Sequence, residues 1–354
     1  MKVTRIIHPV GQGGFYTETL SNGTQEATFV YDCGGFDKAK SKMAKYLDSF
    51  LPKGKPKKQI EAVFISHFHA DHINGLQYLL ENAEVKYLFL PQLTEEVLVE
   101  AMVYNYYTTK QSNWVNNFLL KLYRGDARFG SEERPTRIIQ VDYSNDSRVP
   151  ENFGEDVFTE DSLELRAWNW SLMEAVDLSA IDIFPANAML HCSKWLYIPY
   201  NSKVIQKKKD DLKKELGKLL GADVTVENLP SLLENHTVKA CKEIYDKVFG
   251  SQQNHTSMTL FSGTLDYVQR YPCKQIPDCH VMHPLCDDLF WYPYCCNPNI
   301  LYTGDYVPET DNMGLLEFYS TLLEKIATIQ VPHHGSKTIM IIGCMNILYK
   351  ELFL

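Results

Sequence analysis

The sequence predicts an α/β fold. Apolar strand-like segments alternate with helical patterns through roughly the first hundred residues, and polar loops sit at the strand ends. One of those strand ends carries three histidines and an aspartate within six positions, His67-Phe68-His69-Ala70-Asp71-His72. The chain has 354 residues, enough for one large domain or two small ones.

The elements follow in order. VTRIIHPVGQGG reads as a strand that breaks at Gly11, Gly13 and Gly14, and QEATFVYDCGG as a second that stops at Gly34-Gly35. A helix is expected from about Asp37 to Phe50, with Met43, Leu47 and Leu51 at helical spacing. The lysine-rich PKGKPKK is a loop, EAVFIS a short buried strand, INGLQYLLENA a helix and VKYLFLP the next strand. Residues about 94–130 read as helical and aromatic-rich, and about 155–200 return to β texture. The chain is again helical over about 203–250, read as an inserted pair. TSMTLFSG and NILYTGDY are strands, separated by a stretch at about 271–298 dense in Cys, Pro, Tyr and His.

Composition narrows the function classes. The chain holds 35 basic and 44 acidic residues, a net charge of −9 with neutral His. That balance argues against coating long duplex nucleic acid with the whole surface, while leaving room for a local basic groove. Lys53, Lys55, Lys57 and Lys58 precede the His-bearing strand and are one candidate for such a patch. The lysine-rich run from Lys203 to Lys218 is interleaved with Asp210, Asp211 and Glu215 and reads as a solvated helix face. No apolar run reaches the roughly 20 residues of a membrane span, and MKVTRIIHPVGQGG lacks a signal-peptide core, so a cytoplasmic chain is expected. The nine cysteines then read as free thiols or metal ligands. Seven Cys and His between Cys273 and Cys296 could hold a structural zinc, although their spacing forms no tidy pair of knuckles.

The His67–His72 segment carries the chemistry. Two imidazoles at i and i+2 after a strand can reach one metal, and an Asp-His pair one turn on can reach a second about 3.5–4 Å away. The spacing resembles the His-x-His-x-Asp-His hallmark of the metallo-β-lactamase superfamily. Within it, the chain looks like the branch containing the nuclease domain of ComEC-type competence proteins. VGQG at Val10–Gly13, Asp32 in YDCGG, Asn254-His-Thr-Ser257, Thr303-Gly304-Asp305 and His333-His334-Gly335-Ser336 resemble that branch's further motifs, in order.

The resemblance implies a four-layer αββα sandwich forming a single catalytic domain over 1–354. Helical insertions are then placed at about 94–130 and 203–250, and a Cys/His-rich insertion at about 271–298. It implies a metal-dependent hydrolase with two divalent ions, Zn²⁺ first and Mn²⁺ as the alternative. The implied ligands are His67, His69, Asp71, His72, Asp305 and His333, with Asp305 bridging. Asp71 would also orient the attacking water. His334 would either assist the leaving group or serve in hydrogen bonding. Asp32 would support the metal loop through hydrogen bonds rather than bind metal. The third motif is open between Asn254, His255 and His191. An Asn there would leave a harder site that tilts toward Mn²⁺.

The implied substrate is a phosphodiester, in a small molecule or a nucleic acid. The rivals are hydrolysis of a lactone, thioester or amide on the same core, and a metal-binding module without turnover. The residues after Ser336, KTIMIIGCMNILYKELFL, suffice for one more strand or helix. On that reading the last layer is short, and its apolar surface would suit a protein partner.

Overall fold

The computed structural model describes residues 1–35, 40–52, 56–109, 114–126, 128–144, 147–153, 162–202, 206–234, 238–250, 257–265, 298–306 and 314–331. The chain begins with strands β1 (Lys2–Ile7), β2 (Phe15–Ser21) and β3 (Glu26–Cys33), then helix α1 (Lys40–Phe50) and β4 (Gln59–Phe64). Short helices α2 (Ala70–Ile73) and α3 (Leu76–Asn82) lead to β5 (Glu84–Pro91). Helices α4 (Glu95–Thr108) and α5 (Trp114–Tyr123) precede β6 (Arg137–Val141). Five strands follow: β7 (Arg166–Asn169), β8 (Glu174–Val176), β9 (Ile183–Phe184), β10 (Ala188–Cys192) and β11 (Trp195–Tyr200). Next come α6 (Gln206–Leu220), α7 (Leu229–Glu234) and α8 (Val238–Phe249). The described residues end with β12 (Thr259–Thr264), β13 (Ile300–Tyr302), α9 (Gly314–Phe318) and β14 (Thr328–Ile329).

Among the described residues the strands form two sheets of seven. The first runs β1-β2-β3-β4-β5-β6-β9, antiparallel up to β3 and parallel from β3 onward. The second runs β14-β13-β12-β11-β10-β7-β8 and is antiparallel except for the β13–β14 pair.

Side-chain alternation explains why both sheets are covered twice. From β4 into the residue after it, Val63 and Ile65 point to the helices while Ala62 and Phe64 point to the second sheet. In β11, Trp195 and Tyr197 face the first sheet, and Leu196, Ile198 and Tyr200 face α9. A period of two on strands buried on both faces gives continuous apolar runs such as AVFI and WLYI. Fully burying a Phe such as Phe64 or Phe89 contributes roughly 1.5–3 kcal/mol.

The layers are therefore helices, sheet, sheet, helix, which is the αββα arrangement expected from the motifs. Helix α4 has apolar residues on all sides and packs on α5, α6, α7 and α8. Thr94 caps it by accepting the Val97 N–H, and Glu95 and Glu96 complement the dipole in its first turn.

Two expectations change. The helical stretch read as a pair at 203–250 contains three helices, because Pro230 and the Thr225–Asn228 turn start a separate short one. Lys57 and Lys58 do not flank the histidines. They precede β4 while His67 follows it, and six residues of strand separate the ends by about 20 Å. Lys57 instead donates to the Glu81 carbonyl at 2.6 Å, and Lys58 lies 4.4 Å from the Phe50 ring centre. Residues 271–297 and the stretch after Val331 lie outside the described residues. No helix among the described residues is long and apolar enough to cross a membrane.

Candidate metal centre

The segment after β4 builds the site. Ile65 still donates to Phe89 in the neighbouring strand, at 3.0 Å, so the chain leaves the sheet only at Ser66. His67 and His69 alternate out of this extended stretch, and α2 then turns Asp71 and His72 back toward them. The His67 ring centre lies 4.6 Å from that of His69 and 4.1 Å from that of His72.

Two glycine loops allow the close packing of this turn. Gly14 donates its N–H to the Asp71 carbonyl at 3.2 Å. A Cβ on Gly34 would sit 2.3 Å from that carbonyl oxygen, and one on Gly14 would sit 2.8 Å from the Asp32 side chain. The GQGG and CGG runs are thus cradles for the metal loop, where only a missing side chain lets the backbones meet. Asn105 of α4 braces the loop from the other side, accepting the Ala70 N–H at 2.7 Å and donating to the Phe68 carbonyl at 3.0 Å.

Asp32 is buried and has φ +55°, a left-handed conformation that costs about 1–3 kcal/mol. Its carboxylate accepts from the Ser66 N–H at 2.7 Å, the Ser66 hydroxyl at 2.9 Å and His72 Nδ1 at 2.8 Å. Each charge-assisted bond contributes roughly 1.5–3 kcal/mol, so the three together outweigh the strain. With Nδ1–H donated to Asp32, His72 presents Nε2 to the centre.

Asp305 enters from the turn after β13. Gly304 takes φ +53°, and a Cβ there would meet Ser66 at 2.6 Å. The Asp305 N–H donates to Ser257 Oγ at 2.9 Å, and Ser257 Oγ also lies 3.1 Å from His67 Nδ1. The two Asp305 oxygens face different histidines. Oδ1 lies 3.3 Å from His72 Nε2, and Oδ2 lies 3.8 Å from His67 Nε2. Asp71 Oδ2 lies 4.0 Å from His72 Nε2.

The donor set fits a divalent cation. One ligand atom each from buried His67, His72 and Asp305 fall within 4.8 Å of one another. Ligands held about 2.1 Å from a tetrahedral metal lie about 3.4 Å apart, which these separations approach. His69 adds Nδ1, buried and without a hydrogen-bond partner, while its Nε2 lies 3.1 Å from Glu100 Oε1. The electrostatics agree. Burial opposes charge on His72, yet Asp305, Asp32 and Asp71 raise its proton affinity well above that of an ordinary histidine. A pocket that demands a positive charge so strongly suits a metal ion.

The structure brings His67, His69, Asp71, His72, Asp305 and Asp32 together. His191 lies elsewhere, on β10 opposite Arg166 and Leu196, on the face of the second sheet that carries Met189 rather than the inter-sheet core. Asn254, His255, His333 and His334 lie outside the described residues. Sequence reasoning did not single out Glu100, Asn105 or Ser66 as site residues. A Glu and an Asn buried in an otherwise apolar helix were the available signal, because such groups need partners.

Comparison with known families matches this picture over part of the chain. Residues 22–111 match the metallo-beta-lactamase superfamily model. The match runs from the β2–β3 turn past the end of α4, and so holds Asp32, the whole His67–His72 segment and Glu100. Asp305 lies beyond it and is joined to this superfamily segment by the geometry above. No curated protein matches the chain. The superfamily segment and the buried His/Asp cluster together point to a metal-dependent hydrolase.

Proposed function

We propose that this protein is a two-metal hydrolase of phosphodiesters, of nuclease or phosphodiesterase type. The observation that carries the two-metal part is Asp305, whose two oxygens face His72 and His67 separately. The phosphodiester preference rests on the motif order from Val10 to Ser336 and its likeness to the ComEC-type branch.

His67, His69 and Asp305 would hold one cation, and Asp71, His72 and Asp305 the other, with His333 completing the set. When bound, Zn²⁺ or Mn²⁺ supplies a water of lowered pKa and stabilises negative charge on the scissile group. The protein's own residues do the positioning. Asp32 fixes the His72 ring, and Ser257 fixes the Asp305 backbone against His67. Asp71 is 13% exposed, against 0% for Asp32 and 1% for Asp305. It is therefore the carboxylate placed to accept a hydrogen bond from an entering water and orient it. In this reading His334 faces the leaving group.

The test is turnover of an activated phosphodiester beside an activated ester and a lactam, with Zn²⁺ or Mn²⁺ present. Phosphodiester turnover that disappears in Asp71→Ala supports the proposal. Turnover of the ester or lactam alone defeats the phosphodiester assignment. Bound metal without turnover of any of the three assigns the chain to a metal-binding module.

A further inference from the structure

We infer that Glu100 is a positioning residue for the metal centre: it holds His69 so that Nδ1 faces the site, and helix α8 holds Glu100 in turn. This rests on the metal-centre reading above and deepens it.

The grip on His69 comes from one face of α4. Glu100 Oε1 lies 3.1 Å from His69 Nε2, and the Tyr104 ring stacks on the imidazole at 3.7 Å between centres and 10° between planes. Positions 100 and 104 are one helical turn apart, so a single helix meets the ring at its edge and on its face. A carboxylate can only accept, so the proton sits on Nε2 and the lone pair on Nδ1. That Nδ1 is buried and has no hydrogen-bond partner. Asn105, the next residue on α4, ties the same helix to the loop backbone on both sides of His69.

The carboxylate does not stand by itself. Tyr245 of α8 donates its hydroxyl to Glu100 Oε1, and Lys209 of α6 lies close enough to act on its charge. Both side chains are buried. The carboxylate is thus an acceptor aimed at one ligand, carried by α4 and braced by α8. Helix α8, which looks like decoration on the fold, becomes part of what fixes a ligand.

The test uses the full chain labelled with ¹⁵N in its histidine rings, and Zn²⁺ as the probe. Metal-free wild type is expected to show His69 as the Nε2–H tautomer, and Zn²⁺ affinity is measured by competition with a chromophoric chelator. Glu100→Gln can donate as readily as accept, so it should mix the tautomers and weaken Zn²⁺ by roughly 10–100-fold. Tyr245→Phe should weaken it by roughly three- to tenfold. Glu215→Gln, whose partners Lys218 and Lys247 are on the helices' outer side, should leave both readouts unchanged. Wild-type tautomer and wild-type affinity in a folded Glu100→Gln chain overturn the inference. If that variant does not fold, an unchanged His69 signal and unchanged affinity in Tyr245→Phe overturn it instead. A wild-type chain that binds no Zn²⁺ defeats the metal-centre reading itself, an outcome distinct from the other two.

Discussion

His72 Nδ1 lies 2.8 Å from Asp32 Oδ2, and both side chains are fully buried. The pair joins the end of the third strand to the second turn of the metal loop, and the same carboxylate holds the Ser66 backbone and hydroxyl. Asp32→Asn keeps the shape and tolerates the left-handed backbone, but replaces one acceptor with a donor facing donors. The variant should fold and bind Zn²⁺ roughly 10–100-fold more weakly in a calorimetric titration. Wild-type affinity would show that His72 needs no partner to be oriented.

Gly34 is the tightest contact of the CGG run, since any Cβ would fall on the Asp71 peptide. Gly34→Ala should cost about 1–3 kcal/mol in urea unfolding and weaken metal binding together. Gly23, in the open β2–β3 turn, offers the contrast. Its substitution by Ala strains a φ of +93° but meets nothing within 4 Å, so metal affinity should not change.

Much of this is legible in the amino-acid sequence. The run EAVFIS reads as a short buried strand, and the His spacing places a cluster at its end. The alternation of facing directions in β4 and β11 then fixed the layers. What the sequence could not show was distance across the fold. Asp305 follows His67 by more than two hundred residues yet faces it, while Lys58 is near His67 in sequence and a strand length away in space. Glu100 and Asn105 were hidden for a related reason. A polar residue in a buried helix announces that it has a partner without saying which one.

Lys209 gives a pH signature in the metal-free chain. Burial pushes its pKa down to about 8, against 10.5 for an ordinary lysine. Between those values the unfolded chain binds more protons than the folded one, so this residue's contribution to stability rises with pH from about 8 to 10.5. Lys209→Met should lack that rising limb. Urea unfolding of both chains at pH 8, 9 and 10 isolates it as a difference, and parallel curves would contradict the assignment.

Metal should also act on stability by mass action. Zn²⁺ at one hundred times its dissociation constant should stabilise the fold by about 2.7 kcal/mol, and a chelator should reverse the effect. Asp305→Ala, which removes the group between His67 and His72, should lose most of that shift in a thermal melt. An equal shift in the variant would place the bound ion elsewhere.

The central claim is a centre for two cations organised around Asp305. Elemental analysis of the purified full chain, reconstituted with Zn²⁺ or Mn²⁺ and desalted, measures it most directly. Two ions per wild-type chain, falling to one or none in Asp305→Asn, is the expected result. A wild-type chain that retains no ion, or an Asp305→Asn chain that retains the full wild-type content, would contradict it.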